Sequence, residues 1–177
     1  MKKMTTRMLV FCALFAALTA VCAWIAIPIG PVPISLATFA VMMCGLLLGW
    51  KYGVIAIAVY ILLGLAGVPV FANFKAASAL MGPTGGYIIG YLPYALLAGL
   101  AVPRLQEKFF GRCVLLVLGT IACYALGTGW FMHATGRTLG ESMGLCVLPF
   151  LPGDAAKIAL AAFLAPRLRK ALRSTAV

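Results

Sequence analysis

One segment near the C-terminal end of the chain carries two opposite charges inside an apolar stretch, Leu151-Pro152-Gly153-Asp154-Ala155-Ala156-Lys157. Residues three apart share a helix face, so Lys157 would lie beside Asp154 and about 4–5 Å further along the axis. A carboxylate accepts N–H groups and an ammonium donates to a carbonyl, so the pair suits a urea or amide group. The structural alternative is a helix-capping Asp154 with an internal ion pair.

A second polar segment, Phe71-Ala72-Asn73-Phe74-Lys75, contains one basic residue. Lys75 is a candidate counter-charge for an anionic ligand, and Asn73 beside it can donate or accept a hydrogen bond. The alternative is a solvated lysine at the membrane interface.

The glycine-rich stretch that follows, Gly82-Pro83-Thr84-Gly85-Gly86-Tyr87, lacks the GxxxxGK[ST] pattern of a phosphate-binding loop. It predicts a turn and a helix start, with Thr84 as the cap. Tyr87 is a candidate ligand contact. Tyr91 and Tyr94 follow it at helical spacing, which is more typical of packing and of anchoring at the interface.

The composition identifies the environment that these residues share. The chain has 177 residues, of which 64% are hydrophobic and 10% charged, whereas soluble domains carry about 25% charged residues. A spanning helix needs about 20 apolar residues. We therefore predict an all-α integral membrane protein, a six-transmembrane-helix bundle forming a single domain over residues 1–177. This leaves no length for an attached nucleotide-binding domain.

Six apolar stretches predict the spans, and the first, long for a signal peptide, is expected to be an uncleaved helix. The predicted helices run from Met8 to Ile27, Ile34 to Leu48, Tyr52 to Leu65, Tyr87 to Val102, Val114 to Met132, and from near Pro152 to Pro166. A Pro-rich turn at residues 28–33 ends the first helix. Only residues 49–51 separate the second and third, so we expect these two to be antiparallel neighbours.

The basic residues predict the orientation. With both termini on one side, that side receives eleven of them and the other side receives Lys75 and Arg137, so both termini are predicted to be cytoplasmic. The eleven are Lys2, Lys3, Arg7, Lys51, Arg104, Lys108, Arg112, Arg167, Arg169, Lys170 and Arg173. Short basic clusters between apolar stretches also argue against a nucleic-acid partner, which requires one basic face.

No pattern predicts catalysis or a bound metal. The six cysteines show no CxxC spacing, and the chain has neither an HExxH nor a GxSxG motif. His133, Glu141 and Asp154 would make a poor metal set for an intramembrane enzyme. We expect no catalytic residue, no metal and no cofactor.

Small residues on the first helix form a flat stripe. Ala13 and Ala17 are four apart, as are Ala16 and Ala20, and such spacing lets another helix approach closely. The stripe predicts either a docking face for a membrane partner or packing within the bundle.

Three motifs together resemble the BioY family, the biotin-specific substrate-capture (S) components of energy-coupling factor transporters. They are Pro31-Val32-Pro33-Ile34-Ser35-Leu36, Gly82-Pro83-Thr84-Gly85-Gly86-Tyr87 and Pro152-Gly153-Asp154-Ala155-Ala156-Lys157, in family order and across the whole chain. One departure is Ala37, where the family often has Gln. Thr38 is the candidate replacement for that polar contact.

The resemblance implies six helices and capture of biotin from outside the cell. It also implies coupling to a transmembrane T component and two cytoplasmic ATPases. Site residues carried over are Asp154, Lys157, Asn73, Lys75 and Tyr87, and the stripe of Ala13 and Ala17 resembles the surface that docks on the T component. The alternatives are capture of a different vitamin and a self-contained channel or carrier.

Overall fold

The computed structural model describes residues 5–104 and 109–174. Its helices are α1 (Thr6–Trp24), α2 (Ala37–Leu65), α3 (Ser78–Met81), α4 (Gly85–Arg104), α5 (Phe109–Thr135), α6 (Leu139–Cys146) and α7 (Leu151–Ser174), with strands β1 (Ala26–Ile27) and β2 (Ile34–Ser35) and a 3-10 turn at Ala72–Phe74. The predicted all-α class therefore holds apart from one short antiparallel hairpin, in which Ala26 pairs with Ser35 and Ile27 with Ile34.

Helix α2 is broken at Gly49, whose φ of 82° and ψ of 171° lie outside the helical region. A side chain disfavours this backbone conformation, and glycine has none. The chain reverses there, and the two limbs come so close that a Cβ on Gly53 would lie 3.1 Å from the Cα of Gly45. The two limbs, residues 37–48 and 50–65, are thus neighbours, in agreement with the predicted reversal, although the break occupies one residue rather than three.

The helix count differs from the prediction. The described residues contain seven α-helices, because the second and third predicted helices are assigned together as α2, and the short helices α3 and α6 were expected to be loops. Between the predicted helices that end at Met132 and begin near Pro152, the structure has more helix than expected: α5 continues to Thr135 and α6 spans Leu139–Cys146. Helices α6 and α7 form a pair bent by 54°.

The centre of the fold is the packing of α4 between α2 and α5, with α1 against α2. Small residues permit the close approach. A Cβ on Gly45 would lie 2.7 Å from the Ala95 carbonyl oxygen and from the Ala98 Cβ, and one on Gly99 would lie 2.2 Å from the Trp50 backbone nitrogen. The α4 helix is thereby held in direct backbone contact with both limbs of α2.

The last helix passes through Pro166 and continues to Ser174, so the predicted end at Pro166 is wrong. Proline has no N–H, so the carbonyl four residues earlier, on Ala162, loses its helical donor. The Nε of Arg112 in α5 donates to that oxygen at 3.1 Å. Arg112, counted above with the basic residues of the loops, is buried, with 8% of its surface exposed. A side chain from α5 thus replaces the missing helical donor.

In the part of the chain that the structure describes, three helices, α1, α2 and α5, are long and apolar enough to cross a membrane, or four if the bent pair of α6 and α7 is one span. The chain is thus a multi-pass membrane protein by length and composition. The predicted orientation stays a prediction, and it draws in part on Lys2, Lys3 and Lys108, which lie outside the described residues.

The contact between Arg112 and Ala162 generates a stability prediction. We expect Arg112→Ala to lower the free energy of unfolding in detergent by about 1.5–3 kcal/mol, the value of a hydrogen bond to a charged group. In a Pro166→Ala background, residue 166 regains its N–H, and the same substitution should cost at least about 1 kcal/mol less. Lys170→Ala, at an exposed position of α7, serves as the control. Equal costs of Arg112→Ala in the two backgrounds would contradict this account.

Candidate ligand-binding site

Two adjoining cavities, of about 150 Å³ and about 40 Å³, lie between the hairpin and helices α2, α4, α5 and α7. The residues that line both are Val32, Pro33, Ser35, Tyr87 and Tyr91. The larger cavity is also bordered by Asn73 and Lys75, and the smaller by Asp154 and Lys157. The structure therefore brings all five sequence-predicted site residues to the walls of one composite site.

The charge pair lies at the start of α7, where Asp154 is buried and Lys157 is largely shielded from solvent. Their side-chain exposures are 7% for Asp154 and 11% for Lys157, and the Lys157 Nζ lies 2.9 Å from the Asp154 Oδ1. The predicted three-residue spacing on one helix face is confirmed by this contact. A buried ion is costly unless it is paired and hydrogen-bonded, so the contacts around the pair decide how it is held.

Lys157 donates all three of its ammonium protons to protein acceptors. Besides Asp154, they are the Ser35 carbonyl oxygen at 2.8 Å and the Thr38 Oγ1 at 3.1 Å. Ser35 ends the hairpin and Thr38 lies in the first turn of α2. A ligand carbonyl can therefore bind the ammonium only by exchanging with one of these partners.

Asp154 accepts from two other helices. The Thr38 hydroxyl reaches Oδ1 at 3.4 Å, and the Tyr124 hydroxyl of α5 donates to Oδ2 at 2.5 Å. Thr38, named above as the replacement for the missing Gln, thus contacts both charges. Ala37 is buried at 1% exposure and has no polar side-chain atom.

The segment that carries Asn73 and Lys75 is fastened at both of its aromatic residues. Phe71 is buried at 1% exposure and packs edge-on against Tyr60, with ring centroids 5.3 Å apart. Phe74 stacks on Trp24 at 5.1 Å. Asn73 and Lys75 are themselves exposed. They therefore lie at the solvent-accessible rim of the larger cavity.

Tyr87 of α4 is buried against α5, and its hydroxyl is hydrogen-bonded to protein atoms. The hydroxyl lies 3.1 Å from the Thr128 Oγ1 and donates to the Cys146 carbonyl oxygen at 3.4 Å. The ring packs on Gly127, where a Cβ would lie 2.3 Å away. Tyr87 therefore presents a fixed aromatic surface to both cavities.

The glycine-rich turn before α4 is shaped by Trp130 of α5. The Trp130 indole donates to the Gly82 carbonyl oxygen at 3.0 Å, and a Cβ on Gly86 would lie 2.2 Å from the Trp130 Cβ. The Thr84 hydroxyl donates to the Ala79 carbonyl oxygen at 2.8 Å. The motif thus starts α4 as predicted, with Gly85 and Gly86 packed against Trp130 of α5, but the Thr84 hydroxyl, predicted to cap α4, bonds to the preceding short helix instead.

The other tyrosines of α4 divide between the cavities and the core. Tyr91 lines both cavities, which the sequence interpretation missed when it favoured a packing role. Its position four residues after Tyr87 was the available signal. Tyr94 is at 1% exposure with its hydroxyl 2.7 Å from the Thr120 Oγ1, so the packing role is confirmed there.

Two other features of the sequence lie outside the cavities. Ala13 and Ala17 are exposed on α1, whereas Ala16 and Ala20 are buried in the core. Glu141 accepts a hydrogen bond from the Thr138 N–H at 3.2 Å at the start of α6, which is a capping role.

The described residues do not form a metal site. Within residues 5–104 and 109–174, no group of three or more His, Cys, Asp or Glu side chains is gathered in a way that could hold one. The site is thus built from one charge pair, hydroxyl groups, backbone carbonyls and aromatic surfaces.

Comparison with known proteins matches the chain to one family over nearly its whole length. A family model described as the BioY family matches residues 1–174. The biotin transporter BioY of Thermotoga maritima is 42% identical over 165 residues, covering 93% of this chain and 96% of that protein. The probable biotin transporter BioY of Pyrococcus horikoshii is 40% identical over 158 residues, covering 89% of this chain and 93% of that protein.

A solved structure has the same fold. It is the crystal structure at 2.1 Å of the S-component for biotin from an ECF-type ABC transporter. It matches with a TM-score of 0.86 and 33% sequence identity, covering 95% of each chain.

The contact between Tyr87 and Gly127 is testable by substitution. We expect Gly127→Ala to lower the free energy of unfolding by about 1–3 kcal/mol, because the added methyl group displaces the Tyr87 ring. Gly129→Ala, on the same helix with nothing within 4 Å of the added Cβ, should be neutral or stabilising by up to about 1 kcal/mol. Thermal unfolding of the two variants in one detergent compares them, and an equal effect would show that the contact is unimportant.

Proposed function

The chain belongs to the BioY family, and we infer that it captures biotin as the substrate-binding subunit of an energy-coupling factor transporter. The observation that carries this inference is the buried Asp154–Lys157 pair, 2.9 Å apart, on the wall of a cavity. An ion pair that only stabilises the fold does not have to border a cavity. Ionisable groups within the membrane-spanning part of a protein usually bind a ligand or a transported species.

Biotin offers three chemically distinct parts, and the composite site has a counterpart for each. A ureido ring carries N–H and C=O groups, which suit Asp154 and Lys157. An apolar bicycle suits the aromatic surfaces of Tyr87 and Tyr91. A carboxylate tail suits the ammonium of Lys75, with Asn73 beside it at the rim of the larger cavity.

Binding of the ureido oxygen requires a local exchange at Lys157. Its protons are donated to Ser35, Thr38 and Asp154, so the ligand oxygen replaces one acceptor, and the exchange with Ser35 or Thr38 preserves the ion pair. An analogue that lacks the ureido N–H and C=O groups makes neither contact with Asp154 nor with Lys157, so the site favours biotin over it.

Uptake needs a source of energy, which we expect partner subunits to provide. We propose that the whole chain, residues 1–177, is one membrane-embedded biotin-binding domain in the cytoplasmic membrane. It works with a transmembrane T component and two ATPase subunits. Ala13 and Ala17 are exposed on α1 beside Leu14, which is 57% exposed, and this apolar face with small residues suits helix-to-helix docking on the T component.

The same proposal includes the topology. Six crossings follow if each limb of α2, together with α1, α4, α5 and α7, counts as one span, which puts both termini on the cytoplasmic side. The excess of basic residues on that side supports this orientation. The composite site then opens to the exterior, where biotin must be captured.

Equilibrium binding of biotin to the detergent-solubilised chain tests the function and its site. We expect Asp154→Asn and Lys157→Ala each to weaken binding at least about 30-fold, because each leaves a buried partner unpaired. Glu141→Gln and Lys170→Ala make the matched changes at exposed positions and should leave the affinity unchanged. Wild-type affinity in both site variants would falsify the assignment of the pair.

The role of Lys75 is tested by changing the ligand as well as the protein. Because Lys75 is exposed, its charge contributes modestly, and we expect Lys75→Ala to weaken biotin binding about two- to fivefold. Biotin methyl ester lacks the anionic tail, so its affinity should be the same for the variant and the wild type. If the ester is weakened as much as biotin, Lys75 does not bind the carboxylate.

A further inference from the structure

A stripe of hydroxyl groups on α5 faces the interior of the bundle. Thr120, Tyr124 and Thr128 are four residues apart, so they share one helix face. Each contacts another helix: Thr120 contacts Tyr94 and Thr128 contacts Tyr87, both in α4, while Tyr124 contacts Asp154 in α7. Tyr124 is the member of this stripe that is bonded to a charged site residue.

The contacts of Asp154 show what the Tyr124 hydroxyl does. A carboxylate has about four acceptor positions. Oδ1 accepts from Lys157 and Thr38, and Oδ2 accepts from Tyr124. The residues that the structure describes supply no second donor to Oδ2, so one acceptor position on it stays open, and the hydrogen bond from Tyr124 restricts its direction.

We propose that Tyr124 is a positioning residue for ligand recognition: its hydroxyl orients the Asp154 carboxylate so that the remaining acceptor position meets one N–H of the ureido ring. This rests on the proposed function. Tyr124 comes from α5, whereas Lys157 comes from the same helix as Asp154, so the three groups hold the carboxylate from different directions. Without the hydroxyl, the carboxylate keeps its charge and its partner Lys157 but loses the bond that holds Oδ2.

The first test compares two tyrosines that differ in what their hydroxyl groups contact. Tyr124→Phe should weaken biotin binding about tenfold or more, the effect of losing a hydrogen bond to a charged group. Tyr94→Phe removes a fully buried hydroxyl that is bonded to Thr120 instead of to a charged group, and it should change biotin affinity less than twofold. Similar affinities for the two variants would overturn the proposal. Tyr124→Met, whose flexible side chain fills the ring's place without a donor, carries the same expectation if the phenylalanine variant does not fold.

A double-mutant cycle separates positioning from a general structural role. If Tyr124 acts through Asp154, then Tyr124→Phe should have less than a twofold effect on biotin affinity once Asp154→Asn is present. A structural role would give losses that multiply, and that result would overturn the proposal. Failure of the wild type to bind biotin would overturn the proposed function together with this inference. Binding that is weakened by Asp154→Asn but unaffected by Tyr124→Phe would overturn the inference alone.

Discussion

Burial of the Lys157–Asp154 pair is the constraint on which the site depends. Two charges removed from water cost several kcal/mol unless hydrogen bonds and mutual attraction offset the loss. The fold supplies those bonds from separate places: the Ser35 carbonyl at the end of the hairpin, Thr38 at the start of α2, and Tyr124 in the middle of α5. The pair therefore holds the hairpin, α2, α5 and α7 together around the smaller cavity.

The larger cavity depends on close packing between helices rather than on charge. Tyr87 is held against Gly127, and the turn before α4 is held against Trp130. These contacts fix an aromatic wall next to the charge pair, so one end of the site is polar and rigid while its middle is apolar. Exposed Asn73 and Lys75 complete the far end. This order of polar, apolar and polar groups is the order of chemical groups in biotin.

Much of this organisation could be predicted from the sequence, because membrane helices and charged residues within them leave strong signals. The pair of Asp154 and Lys157 stood out by type and spacing, and the first limb of α2 was predicted to end at Leu48, next to the observed break at Gly49. Continuation of α7 through Pro166 could not be foreseen, since the compensating donor, Arg112, lies 50 residues away in α5. Tyr124 was missed although hydroxyl residues four apart on an apolar helix predict an interior face. Its partner in α7 depends on how the two helices pack.

A structure of the protein with bound biotin would show whether the charge pair itself holds the ureido head of the ligand. We expect one ureido nitrogen within about 3.2 Å of the Asp154 Oδ2 and the ureido oxygen within about 3.2 Å of the Lys157 Nζ. We also expect Lys157 to have released Ser35 or Thr38. Biotin confined to the larger cavity, with all three contacts of Lys157 unchanged, would mean that the charge pair does not bind the ureido head.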